Sequence, residues 1–147
     1  MGVLRRTAFA LVTAALLVMA VVLSACTSKP LVPEGNVMHG DTPVSVVEAY
    51  FFGWQHQDWD YQETLVDPAR VQIRPEPVTS VKNIAVFMTE NDADHAVCSA
   101  TFELGVPGEG ATVTRGKHTW TFELDFDAGR GMFVITGITG DAAQQAD

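Results

Sequence analysis

Ten residues near the C-terminus constrain the fold more than any other stretch. From Lys117 to Phe126, His118, Trp120, Phe122, Leu124 and Phe126 alternate with Lys117, Thr119, Thr121, Glu123 and Asp125. A side-chain period of two is that of a β-strand, here with one dry aromatic face and one wet face. Such a strand belongs to a sheet that is covered on one side.

Its neighbours supply the rest of that sheet. Asp127-Ala-Gly-Arg-Gly131 reads as a tight turn into a last strand carrying Phe133, Ile135 and Ile138. Upstream, His95 to Leu104 puts Ala96, Cys98, Ala100, Phe102 and Leu104 on one face, and the lone Cys98 reads as a small buried hydrophobe. Val81 to Thr89 is apolar on both faces, which predicts a well-covered strand, with the turn at 91–94 after it.

Two helices precede the strands. Thr42 suits an N-cap and Pro43 the first helical position. Val44, Val47, Phe51 and Trp54 then recur at helical spacing, widened by Val46 and Tyr50. Gly53 costs about 1 kcal/mol of helix propensity against Ala, which points to a close approach there. Asp58 or Asp60 caps a second, shorter helix through Val66, closed by Asp67-Pro68. The class is α+β, with N-terminal helices packed on a curved antiparallel sheet.

Everything before residue 41 reads as delivery. Arg5-Arg6 is followed by 17 uncharged residues, Thr7 to Leu23, the layout of a secretory signal. A spanning helix needs about 20 apolar residues, so the run alone is marginal. It ends in Leu23-Ser24-Ala25-Cys26, which resembles the bacterial lipobox: a branched apolar residue, two small residues and a Cys. The resemblance implies a diacylglycerol thioether on Cys26 and cleavage before it, so that 1–25 is a signal peptide. Acyl chains then hold the protein to the extracytoplasmic face of the cell membrane without a spanning segment, because two chains anchor where one is marginal. Residues 26–40, with Pro30, Pro33, Gly35 and Gly40, form a flexible tether; 41–140 is one domain and 141–147 a frayed tail.

Charge narrows the partners. After residue 25 the chain holds 7 basic and 18 acidic residues, net −11. Phosphate neutralisation needs clustered Lys and Arg, so nucleic acid is excluded as the main partner. With 147 residues there is no room for a second lobe.

Thr42-Pro43-x-x-Val46-Val47-x-x-Tyr50-Phe51-x-Gly53-Trp54-x-x-x-Asp58 resembles the opening of nuclear transport factor 2-like domains, and Trp120-x-Phe122-x-Leu124 with Phe133-x-Ile135 resembles their closing hairpin. Phe133 stands where that family usually has Trp, and Gly53 where it has Ala. The likeness is strongest to secreted lipoproteins of Gram-positive bacteria. It implies a cone-shaped α+β barrel with an open pocket and commonly a third helix, for which Asp67 to Pro77 is the candidate stretch.

No catalytic residue transfers from that family. His118, at the mouth of its strand, reads as a rim or core histidine rather than a general base. His56-x-Asp58-x-Asp60 is explained by helix capping more simply than by a metal, and Asp92-x-Asp94 lacks a calcium loop's third acid and Gly. Asp125 and Asp127 flank a turn and are expected to shape it or face water. No nucleotide-binding fingerprint is present, and no cofactor is implied. The expected function is therefore a non-catalytic module that binds a protein or an apolar ligand, in a space lined by some of Tyr50, Trp54, Trp59, Phe102 and Trp120. The alternatives are a small isomerase- or dehydratase-like enzyme using the cone pocket, and an assembly factor for an envelope complex.

Overall fold

A computed structural model describes residues 42–140. The expected signal peptide 1–25, with its lipobox-like Leu23-Ser24-Ala25, the expected lipidation site Cys26 and tether 26–40, and the expected tail 141–147 lie outside the described residues. Within them the order is α1 (Pro43–His56), α2 (Trp59–Glu63), β1 (Val81–Asn91), β2 (His95–Leu104), β3 (Gly116–Asp127) and β4 (Met132–Thr139). The four strands form one antiparallel sheet in chain order, and α1 packs on one of its faces.

Both ends of α1 follow from local chemistry. Thr42 is extended and accepts from the Ser45 backbone N–H, while the Ser45 hydroxyl accepts from the Thr42 N–H. This reciprocal capping box satisfies donors that a helix start leaves free, and Pro43 has no N–H to satisfy. At the other end Gln57 turns left-handed (φ 54°), so that the Asp58 N–H reaches the Gly53 carbonyl at 2.9 Å. Asp58 then caps α2 by accepting from the Tyr61 N–H at 3.0 Å. The chain reverses tightly at Gly53, where a Cβ would sit 2.8 Å from Cγ of buried Gln62 and 3.3 Å from the Asp58 carbonyl. That close approach is the reason for a glycine inside the helix.

Four of the five residues expected on the dry face of β3, His118, Trp120, Phe122 and Leu124, are buried, whereas the fifth, Phe126, lies at the strand's end beside the turn and is 42% exposed. Cys98 of β2 pairs with Phe122 and Phe102 with His118, so the two dry faces coincide across the sheet. Phe133, Ile135 and Ile138 break the two-residue period, and a bulge explains how. Glu123 pairs with Gly137 and Leu124 with Ile135, which leaves Thr136 extra. Ile135 and Ile138 can thus both enter the core.

Three expectations need correction. β1 is not well covered: it is an edge strand, and Phe87 and Met88 are 61% and 44% exposed. Being apolar on both faces does not bury a strand that has a neighbour on one side only. The second helix stops at Glu63 rather than Val66, because Leu65 to Asp67 joins the sheet: Ile135 N–H donates to the Leu65 carbonyl and Asp67 N–H to that of Ile135, each at 2.9 Å. Asp67 to Pro77 holds no helix, only one turn at 67–70 and chain without regular structure. Pro75 and Pro77 remove two of the N–H groups that a helix there would use.

Candidate functional site

Four of the five aromatics expected to line a pocket meet beneath the sheet. α1 supplies Tyr50 and Trp54 one turn apart, β2 supplies Phe102 and β3 supplies Trp120, all of them buried. Trp54 lies 5.3 Å from Trp120 and 5.8 Å from Phe102 between ring centroids, and Phe102 meets Trp120 edge-on at 5.1 Å. Tyr50 joins through Trp54 at 6.3 Å and Phe122 at 5.4 Å. These are the separations of aromatic side chains in van der Waals packing. Trp59, on α2, is half-buried and packs against the hydrophobic core, with no ring contact to these four.

Most polar groups within the core have structural partners. The Trp54 indole N–H donates to the Glu76 carbonyl at 2.7 Å, and the Gln62 amide donates to the Tyr50 carbonyl at 2.9 Å. Buried Glu76 accepts at Oε2 from the backbone N–H groups of Thr112 (2.6 Å) and Val113 (3.2 Å), and at Oε1 from the Thr112 hydroxyl (2.6 Å). His118 is a core histidine: its Nε2 lies 2.7 Å from the Thr114 carbonyl, and its ring stacks on Phe102 at 5.5 Å. Burial, with a smaller effect from the Glu76 charge, pushes the Tyr50 phenol well above its usual range. Burial likewise raises the Cys98 thiol to about 11, which keeps it protonated and inert at neutral pH. The hydroxyl of Tyr50 and Oε1 of Gln62 are buried with no hydrogen-bond partner.

A second cluster lies on the wet face of the sheet. Asp125 accepts from Arg70 at 2.9 Å and lies 2.7 Å from His95 Nδ1. Arg70 reaches it from the segment that follows the Val66 bridge to β4. Asp125 thus faces solvent, one of the two roles expected of it, and serves there as a surface ion-pair hub. Asp127 does shape the turn, accepting from the Gly129 and Arg130 N–H groups at 2.8 and 3.2 Å. Of His56-x-Asp58-x-Asp60, His56 packs on Phe52 at 4.3 Å and Asp58 caps α2. Among the described residues no three His, Cys, Asp or Glu side chains are grouped as metal ligands.

The Asp125 hub gives stability a pH dependence. Its hydrogen bond raises His95 above the ordinary imidazole value, and the bond to His95, aided by Arg70, lowers Asp125. A raised His contributes fully below its unfolded pKa of about 6.5 and loses that contribution as pH rises through the folded value. A lowered Asp contributes fully above about 3.9 and loses it as pH falls through the folded value. The hub therefore contributes most between about pH 4 and 6.5. Asp125→Asn is expected to flatten the decline of the urea midpoint above that window; superimposable profiles for the two proteins would refute the assignment.

Glu76, Gln62 and Arg70 escaped the sequence reading. Glu76 sits between two prolines with its partners 36 residues on, and nothing in the local pattern of 67–77 marks it as interior. Compared with known proteins, the chain matches no family model, no curated protein and no solved structure. The class that the fold defines is an α+β domain, with a small helical layer against an open four-stranded antiparallel sheet.

Proposed function

We propose that this chain is an extracytoplasmic lipoprotein, held at the cell membrane by a lipidated Cys26, and that its domain is a non-catalytic binding module built on the nuclear transport factor 2-like cone. The observation that carries the module reading is the packing of Tyr50, Trp54, Phe102 and Trp120 against one another in the interior. Rings in mutual contact fill space that an acid–base site would need for substrate. The titratable side chains among them, Glu76 and His118, hold neighbouring loops instead. Recognition then falls to the surface, where Phe87, Met88, Val106 and Phe126 are exposed.

One observation favours a second reading. The unpartnered Tyr50 hydroxyl and Gln62 carbonyl would suit a ligand with an apolar body and a polar tip, received among these aromatics. A thermal-shift screen of the full chain in detergent against lipids, hydrophobic metabolites and cell-wall fragments separates the two. The surface reading expects no stabilisation. A rise of several degrees that Tyr50→Phe abolishes would replace it with the pocket. Anchoring is read separately, by metabolic labelling with a palmitate analogue: Cys26→Ala is expected to lose the label, and equal labelling of both chains would defeat the lipoprotein assignment.

A further inference from the structure

Among the described residues, β1 is the one long strand whose outer edge is both free of a neighbouring strand and flanked by exposed apolar side chains. It runs for 11 residues, and the Gln55 amide closes its first position by donating to the Val81 carbonyl at 2.9 Å. Lys82, Phe87 and Glu90 are exposed and pair with Glu103, Ser99 and Val97 on the wet face, so all three point to the same side of the sheet. Met88 pairs with Cys98 on the other side, which is also where Ile84 packs.

The sequence of this strand is complementary to its own reverse. In an antiparallel pair centred on Val86, Lys82 of each copy lies opposite Glu90 of the other, Asn83 opposite Thr89, Ile84 opposite Met88 and Ala85 opposite Phe87. Both charged pairs are of opposite sign, and both lie on the wet face, as cross-strand partners must. The irregularities obey the same symmetry. β1 has one bulge between Lys82 and Ala85, with Asn83 at φ 54°, and another at Thr89, between Met88 and Glu90. Asn83 and Thr89 are equidistant from Val86, so in this register bulge meets bulge and the pairing stays in step on either side.

We propose that two copies of this chain associate through β1 in this register, making one antiparallel sheet of eight strands about a two-fold axis at Val86. A two-fold interface requires a surface complementary to itself, and β1 has that in charge, apolarity and backbone irregularity together. A charged edge and bulges are also the devices by which proteins discourage strand addition. Here they bracket Ala85 to Met88, a regular run with exposed Phe87 and Met88, rather than interrupting it.

Charge reversal tests the register. Sedimentation velocity of the full chain in detergent, over a range of protein-to-detergent ratios, is expected to show a concentration-dependent dimer. Lys82→Glu places two acids opposite each other twice, and Glu90→Lys does the same with two bases. Each variant is expected to dimerise about tenfold more weakly. Mixing the two variants re-forms both opposite-charge pairs in the heterodimer, so the mixture should regain the affinity that each has lost. Circular dichroism of each single variant confirms that it is folded. A wild-type chain that stays monomeric, single variants that dimerise normally, or a mixture that does not recover would each overturn the proposal.

Discussion

Phe122→Ala is expected to cost about 3–5 kcal/mol, the usual range for deleting a fully buried aromatic ring. Phe122 touches each layer of the core at once: Tyr50 at 5.4 Å and Phe51 at 5.7 Å on α1, and Trp120 at 6.4 Å along its own strand. Its neighbours cannot readily collapse into the vacated volume. The Tyr50 ring is held between Phe51 at 5.7 Å and Trp54 at 6.3 Å, and Trp54 is in turn fixed by its bond to the Glu76 carbonyl. The cavity term therefore adds to the lost transfer energy. Against a total stability of about 5–15 kcal/mol, the variant should be marginal at body temperature. Chemical denaturation measures the effect directly. A midpoint within experimental error of wild type would mean that Phe122 is not a core residue.

How far the fold was legible depended on how local its causes were. The strict alternation of 117–126 located β3 and its dry face because each burial there repeats every second residue. Thr42, Pro43 and Asp58 located helix starts because a cap is made within three residues of itself. β1 misled because exposure of Phe87 and Met88 depends on strand order, and no residue within the strand records which neighbour it lacks. Likewise, the hub of Arg70, His95 and Asp125 joins residues 30 and 55 positions apart, whose separate contexts say nothing of each other. Of the candidate site, the aromatic composition was readable, since periodicity put Tyr50, Trp54, Phe102 and Trp120 on inward faces. Their mutual contact was not, because it depends on how closely α1 approaches the sheet.

The same limit applies to Glu76, whose replacement gives the second large effect. Its side chain fastens 112–113 while its backbone carbonyl holds the Trp54 indole, so a single residue ties that loop to the aromatic core. The chain on either side is closed by backbone bonds: Gly108 N–H to the Pro77 carbonyl at 2.7 Å, and Thr79 N–H to that of Val106 at 2.9 Å. Glu76→Leu keeps the volume but removes every acceptor, leaving two backbone N–H groups and a hydroxyl to find others. Buried donors left unsatisfied cost about 1–3 kcal/mol each, and Thr112, nearer solvent, recovers part of that in water. The expected loss is about 2–4 kcal/mol, with faster amide hydrogen exchange at Thr112 and Val113. Glu76→Gln separates hydrogen bonding from packing. Its carbonyl can accept from both N–H groups while its amide donates to the Thr112 hydroxyl, which serves equally well as an acceptor. That variant should lose no more than about 1 kcal/mol, the difference between a charged and a neutral acceptor. Equal stability of the Leu and Gln variants would show that the loop is held by its backbone bonds alone, and that the buried carboxylate is not what joins it to the core.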